Sequence, residues 1–233
     1  MNIAYLFSGH SRTWAYCYKQ FFENIYKYAP GDIFIHTWDC VNSGFGAHWN
    51  TWSEELKQIS SQKIDINGIV KTYNPIQCMI EKDIGLDYWL QKYPNIHPPY
   101  LGIKNLLYSQ KKVFEMSKTH KIYDRYIATR LDINYVTNLN IEELQSDNYI
   151  VSNSAIHPRN MVFDFWSIGS LDHMEMKSKY LDEIDRYWFT TDMYNYCYEH
   201  ALHAYLCDNN FKIYRSNMQY NVPRINNMIT AYN

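Results

Sequence analysis

The run Arg130-Leu131-Asp132-Ile133-Asn134 sets a guanidinium, a carboxylate and an amide at alternate positions. In an extended segment alternate side chains share a side, so Arg130, Asp132 and Asn134 would face one way and Leu131 and Ile133 the other. Carboxylate and amide oxygens are hard ligands for Mn²⁺ or Mg²⁺, and a cation held there grips a diphosphate, with Arg130 near the same charge. A second cluster is Ser8-Gly9-His10-Ser11-Arg12. Gly9 lets the backbone turn closely, a following helix offers unpaired N–H groups, and Arg12 can bind a phosphate oxygen. The alternative there is a plain strand-to-helix turn capped by Ser11 or Thr13. The third cluster, His36-Thr37-Trp38-Asp39, puts an indole beside a carboxylate. A base or sugar would stack on Trp38 while Asp39 accepts from a hydroxyl; otherwise Trp38 caps a sheet and Asp39 opens a loop.

Two weaker patterns complete the set. Tyr108, Gln110, Lys111 and Lys112 lie on one helical stretch, where Lys112 either adds a donor for a diphosphate or belongs to a solvated basic face. Glu199-His200-x-x-His203 invites a zinc-peptidase reading, but H-E-x-x-H needs histidines four apart with the acid between them. A metallohydrolase built on these residues would hold zinc.

The elements around these clusters are set by apolar spacing. Ile3 to Phe7 has strand length, and Trp14, Cys17, Tyr18, Phe21, Phe22, Ile25 and Tyr28 then recur every three or four residues. Pro30-Gly31 breaks that helix, and Asp32 to Thr37 supplies a second strand, making a βαβ unit with parallel strands. Residues 40–52 read as a loop, Ile69 to Tyr73 as a weak strand, and 82–99 as irregular because of Pro94, Pro98 and Pro99. A helix is expected from about Gly102 to Thr119, then a strand over Arg125 to Arg130, strands at Tyr149 to Ser152 and Val162 to Ile168, and a helix from Leu171. A helix from about Asp192 to Asp208 and a strand at Phe211 to Arg215 close the folded part. Alternating strands and helices imply an α/β sandwich with a mostly parallel sheet. In such sheets ligands sit beyond the carboxyl ends of the strands, where all three leading clusters fall.

Length and composition bound the rest. A chain of 233 residues is expected to be a single domain. A formal charge of −2 removes the bulk electrostatic argument for nucleic acid, so no nucleic-acid partner is expected. No run approaches a membrane span, the start lacks a secretory leader, and five cysteines without C-x-x-C indicate neither a disulfide framework nor a zinc ribbon. The expected location is the cytoplasm. Aromatic residues make up 17%, with 23 Tyr and 7 Trp; AT-rich coding accounts for much of this, and stacking walls for sugars or bases are the functional alternative.

Three segments in order, Ser8 to Trp14, Asp32 to Asp39 and Tyr123 to Asp132, resemble bacterial and viral glycosyltransferase-like proteins of the GT-A, nucleotide-diphospho-sugar transferase type. Phe163-Asp164-Phe165-Trp166-Ser167-Ile168-Gly169-Ser170 and Glu199 to Leu206 extend the likeness to about Ser216. The resemblance implies a GT-A-like α/β/α sandwich. About 1–135 would bind the nucleotide sugar, about 136–216 would form the acceptor side, and 217–233 would be a tail. Ser8, Gly9, Arg12, Trp38, Asp39, Lys112 and Arg130 would bind the donor. Asp132 would sit where such enzymes keep a D-x-D metal carboxylate, with Asn134 as co-ligand for Mn²⁺ or Mg²⁺. The chain departs from two aspartates there, which leaves Arg130 or Lys112 to neutralise the diphosphate. Asp164 and Glu199 are the candidate acceptor-side bases. The implied partners are a nucleotide-sugar donor and a glycan or glycoconjugate acceptor; the competing class is a non-catalytic carbohydrate-binding protein of the same fold.

Overall fold

The run Ile3–Ser8 forms β1, buried along its whole length. Ala4 and Leu6 enter one apolar layer, Tyr5 and Phe7 the other, the pattern of a central strand covered on both faces. The computed structural model describes residues 1–41, 62–84, 86–92, 98–152, 161–190 and 198–223.

The amphipathic stretch after β1 is helix α1, Trp14–Phe21, which continues as a π-helical turn over Phe22–Tyr26. Strand β2 is Asp32–Trp38. The weak strand expected at 69–73 is instead helix α2, Ile66–Tyr73. Asp65 caps it by accepting from the Gly68 N–H at 2.9 Å, and Ile69 and Tyr73, four apart, are both buried. The β-branched Ile-Val pair misled a propensity reading because the cap and the i, i+4 spacing decide here. Strand β3, Gln77–Glu81, was not anticipated. The region expected to be irregular holds α3, Leu86–Lys92, and the start of α4, Pro98–His120, where prolines sit in the first turn and need no partner for a missing N–H.

Next come β4 (Arg125–Thr129), β5 (Asn134–Tyr135), a 3₁₀ turn at Ile141–Gln145, β6 (Tyr149–Ser152), β7 (Phe163–Gly169) and α5 (Leu171–Thr190). Helix α6 (Tyr198–Asp208), β8 (Ile213–Ser216) and β9 (Tyr220–Asn221) complete the order. The start expected for α6 at Asp192 lies outside the described residues. Within the stretch read as a tail, Tyr220 and Asn221 pair with Tyr135 and Asn134 in a two-stranded sheet.

The main sheet has seven strands in the order β3-β2-β1-β4-β7-β6-β8. Strands β3, β2, β1 and β4 run parallel, β7 runs against β4 and β6, and β8 is parallel to β6. Helices α4, α5 and α6 cover one face through Leu107, Val113, Phe114, Met174, Tyr180, Leu202 and Tyr205. Helices α1 and α2 with the small sheet cover the other through Phe21, Ile25, Ile69, Tyr73 and Tyr135. The expected α/β sandwich with a mostly parallel sheet is what forms. Strand β1 pairs with β2 on one side and β4 on the other, so the chain order reverses there, and in open α/β sheets ligands bind beyond the carboxyl ends of the strands at such a point. Because β7 is reversed, its first residues lie at that same end.

Candidate functional site

Two turns, one after β1 and one after β4, meet at the switch point of the sheet. Gly9 leaves β1 with φ +89, a conformation open to glycine, and Arg12 sits at φ +32, where a side chain with a Cβ is strained. That geometry folds the loop back against the segment after β2: the Arg12 N–H donates to the Val41 carbonyl, and His10 Nδ1 lies 3.4 Å from the Cys40 carbonyl. After β4 the chain turns at Leu131-Asp132 instead of staying extended. Asp132 is wholly buried, and Arg130 grips it with two bonds, Nε to Oδ1 at 2.8 Å and Nη2 to Oδ2 at 2.6 Å. Arg12 Nη1 approaches Oδ2 at 3.4 Å from the other loop. The Arg130 guanidinium also lies 4.7 Å over the Phe165 ring of β7.

Among the described residues this cluster sets two guanidiniums against one carboxylate, an arrangement that attracts an anion. His10 does not add to it. Burial, then the Arg12 charge and more weakly the Arg130 charge, push its imidazole down to about 3, so it is neutral at pH 7.

The cation-ligand expectation at Asp132 meets a different chemistry. Both carboxylate oxygens accept from guanidinium, so a divalent ion would have to displace Arg130 or Arg12. Asn134 belongs to β5, and its Oδ1 is buried with no hydrogen-bond partner among the described residues. Among the described residues no three His, Cys, Asp or Glu side chains gather to hold a metal, the Glu199-His200-x-x-His203 stretch included, where His203 instead contacts Cys207 Sγ at 3.7 Å. As they stand, the described donors do not fit a divalent centre.

The remaining expected donor residues divide. Lys112 and Tyr108 stand on α4, with Lys112 Nζ 5.4 Å over the Tyr108 ring. Trp38 is 0% exposed, stacked on Tyr108 at 5.8 Å and met edge-on by His36 at 5.2 Å, so no base or sugar reaches its face. It is a packing residue, the alternative the sequence left open. Asp39 is exposed after β2; its Oδ1 accepts from the Asp83 N–H, and burial with the nearby Asp39 charge raises the Asp83 carboxyl to about 6. Ser8 is buried and lines a narrow cleft with Gln110, Lys177 and Ser178. The Gly9 N–H is already donated to Ser109 Oγ at 2.7 Å, so that amide is not open to a ligand.

On the acceptor side, Glu199 lies in the first turn of α6, and its carbonyl accepts from the Val162 N–H at 3.1 Å, which draws the start of α6 to the start of β7. Asp164 lies in the backbone of β7 near the carboxyl end of β4, and its side chain falls outside the described residues. Sequence reading missed Phe165, Ser109 and Glu81 as site-supporting residues. Ser109 stands one helical turn before Lys112, Phe165 lies inside an expected strand, and nothing local in the sequence singles out Glu81.

No protein-family profile matches the chain, and no curated protein matches it. Among solved structures it is similar to core-mannan synthase A from Aspergillus fumigatus in its Mn/GDP form. That match has 12% identity and a TM-score of 0.49, and covers 95% of this chain and 74% of that one. It is also similar to a mannosyltransferase from S. cerevisiae, with 12% identity and a TM-score of 0.39, over 78% of this chain and 60% of the yeast chain. At that identity and those scores the likeness carries no residue role into this chain.

Proposed function

We propose that the protein is a glycosyltransferase that moves a sugar from a nucleoside-diphosphate donor to a hydroxyl of a glycan or glycoconjugate. The observation that carries this reading is the Arg12–Asp132–Arg130 cluster at the switch point of the sheet, where two guanidiniums converge. A departing diphosphate gains most from donors fixed before it arrives. Asp132 and Phe165 fix Arg130 in that way, and the strained turn at Arg12 aims a second guanidinium at the same place. The leaving-group charge then falls on guanidinium N–H groups that need no reorganisation. Acceptor hydroxyls would be met from the start of β7 and of α6, with Asp164 and Glu199 as the candidates to orient them or take the proton.

A thermal-shift panel of UDP, GDP, CDP, ADP and TDP, each with and without Mn²⁺, tests the proposal, since a ligand bound by the native state raises apparent stability. The expected result is a shift for one nucleotide that survives chelator and is lost in Arg130→Ala. A shift with no nucleotide, together with retained glycan binding, would instead support the non-catalytic carbohydrate-binding reading.

A further inference from the structure

A polar chain, partly exposed at Glu81 and buried beyond it, runs from β3 through β2 and α4 to the turn after β1. Glu81 Oε2 lies 2.8 Å from His36 Nε2, His36 Nδ1 lies 2.8 Å from Ser109 Oγ, and Ser109 Oγ accepts from the Gly9 N–H at 2.7 Å. We propose that Ser109 is a positioning residue for the phosphate-side turn, holding the Gly9 amide from α4, with its hydroxyl directed by the His36–Glu81 pair. This rests on the donor-site reading above and assigns the device that fixes Arg12, three residues further along the same turn.

The proton directions are set by what each group can do. A carboxylate accepts only, so His36 Nε2 carries a hydrogen and donates to Glu81. Burial holds the His36 imidazole down against the pull of Glu81, so in its neutral form Nδ1 accepts and Ser109 donates to it. The serine lone pairs then face the Gly9 N–H. When His36 is charged, Nδ1 donates to Ser109, whose hydroxyl turns to the His36 carbonyl at 3.2 Å, and the Gly9 bond persists. Among the described residues, the charged groups facing His36 are Glu81 from β3 and Lys112 from α4. A serine, a histidine and a carboxylate in a row also make a nucleophilic relay, but Ser109 and His36 are both 0% exposed and the serine oxygen is already engaged by a backbone amide. Positioning is the role left to them. Gly9 needs such an anchor because its φ of +89 belongs to a residue with many accessible conformations, and a mobile Gly9 would let the Arg12 guanidinium swing away from Asp132.

Two measurements on the full chain test this. Hydrogen–deuterium exchange is monitored over residues 8–14 in wild type, Ser109→Ala, Glu81→Leu and Glu81→Gln, with residues 125–130 as the internal reference. Ser109→Ala is expected to speed exchange at 8–14 by about tenfold, the loss of one buried hydrogen bond. Glu81→Leu would give a smaller rise, and Glu81→Gln, whose amide oxygen still accepts from Nε2, would stay near wild type. Pyrophosphate affinity is then measured in a double-mutant cycle. Ser109→Ala is expected to weaken it several-fold when Arg12 is present and to have no effect in an Arg12→Ala background. Unchanged exchange at 8–14, or an equal loss of affinity with Arg12 absent, would overturn the assignment. If Ser109→Ala does not fold, the Glu81 pair decides, because that carboxylate is partly exposed. If wild type binds neither pyrophosphate nor any nucleoside diphosphate, the transferase reading falls, and the exchange data still decide whether Ser109 holds the turn.

Discussion

Replacing Asp132 by Asn separates two accounts of the cluster after β4. In the structure Asp132 is the buried counter-ion of Arg130 and a neighbour of Arg12. Asn keeps the shape but removes the charge, and its amide N–H group would point donors at donors. Removing one partner of a buried ion pair leaves an uncompensated charge and costs about 3–5 kcal/mol. For a domain of this size each kcal/mol moves the melting temperature by about 2–4 °C, so the variant should melt about 6–20 °C lower with no metal or ligand added. Pyrophosphate should narrow the gap, because the anion returns the missing charge; at a hundred times its Kd a native-state ligand adds about 2.7 kcal/mol. Differential scanning fluorimetry in chelator, with and without pyrophosphate, reads both effects. A variant within about 1 °C of wild type in chelator, beside a wild type whose nucleotide shift requires Mn²⁺, would refute the ion-pair account and restore Asp132 as a free metal carboxylate.

The same geometry has other consequences. His10 is held neutral down to about 3, whereas an unfolded histidine protonates near 6.5, so the unfolded chain takes up a proton first and stability falls as pH drops across that window. The slope is at most about 1.4 kcal/mol per pH unit, and urea unfolding of His10→Gln at several pH values should show it flattened. Asp83 has the opposite sign: its carboxyl is raised to about 6, so the folded chain holds the proton more tightly and stability is lost as pH rises from about 4 to 6. Asp83→Asn should therefore melt higher than wild type at pH 7.5 and equal it at pH 4; equal melting at pH 7.5 would count against the buried-carboxyl account. Phe165→Leu removes the ring beneath Arg130 and should weaken pyrophosphate binding by an amount matching about 0.5–2 kcal/mol in calorimetry. Trp38→Ala should cost about 3–5 kcal/mol of stability with nucleotide selectivity unchanged, whereas a change in selectivity would return Trp38 to the ligand.

Much of the architecture was legible in the chain. The continuous apolar runs of β1, β2 and β4 and the three-four spacing of α1 and α4 are local patterns, and each demands a particular burial whatever its neighbours do. Ile66–Tyr73 was misread because Ile-Val in a short window suits strand and helix alike until the Asp65 cap is weighed. Strand β3 went unseen because Gln77–Glu81 is an edge strand, only partly buried, and shows no strong apolar run.

For the site, the sequence determined which charges are available and that they lie just past strands: Arg12 after β1, Arg130 and Asp132 after β4. Their pairing was decided by the sheet. Strands β1 and β4 are 121 residues apart from Ser8 to Thr129 in the chain yet adjacent in space, and that register brings Arg12 to the carboxylate that Arg130 already holds. An acid beside hydrophobic residues reads the same in a sequence whether its oxygens are free for a cation or saturated by guanidinium. Only long-range packing fixes which, because the energy of a buried charge depends on partners that the local chain does not supply.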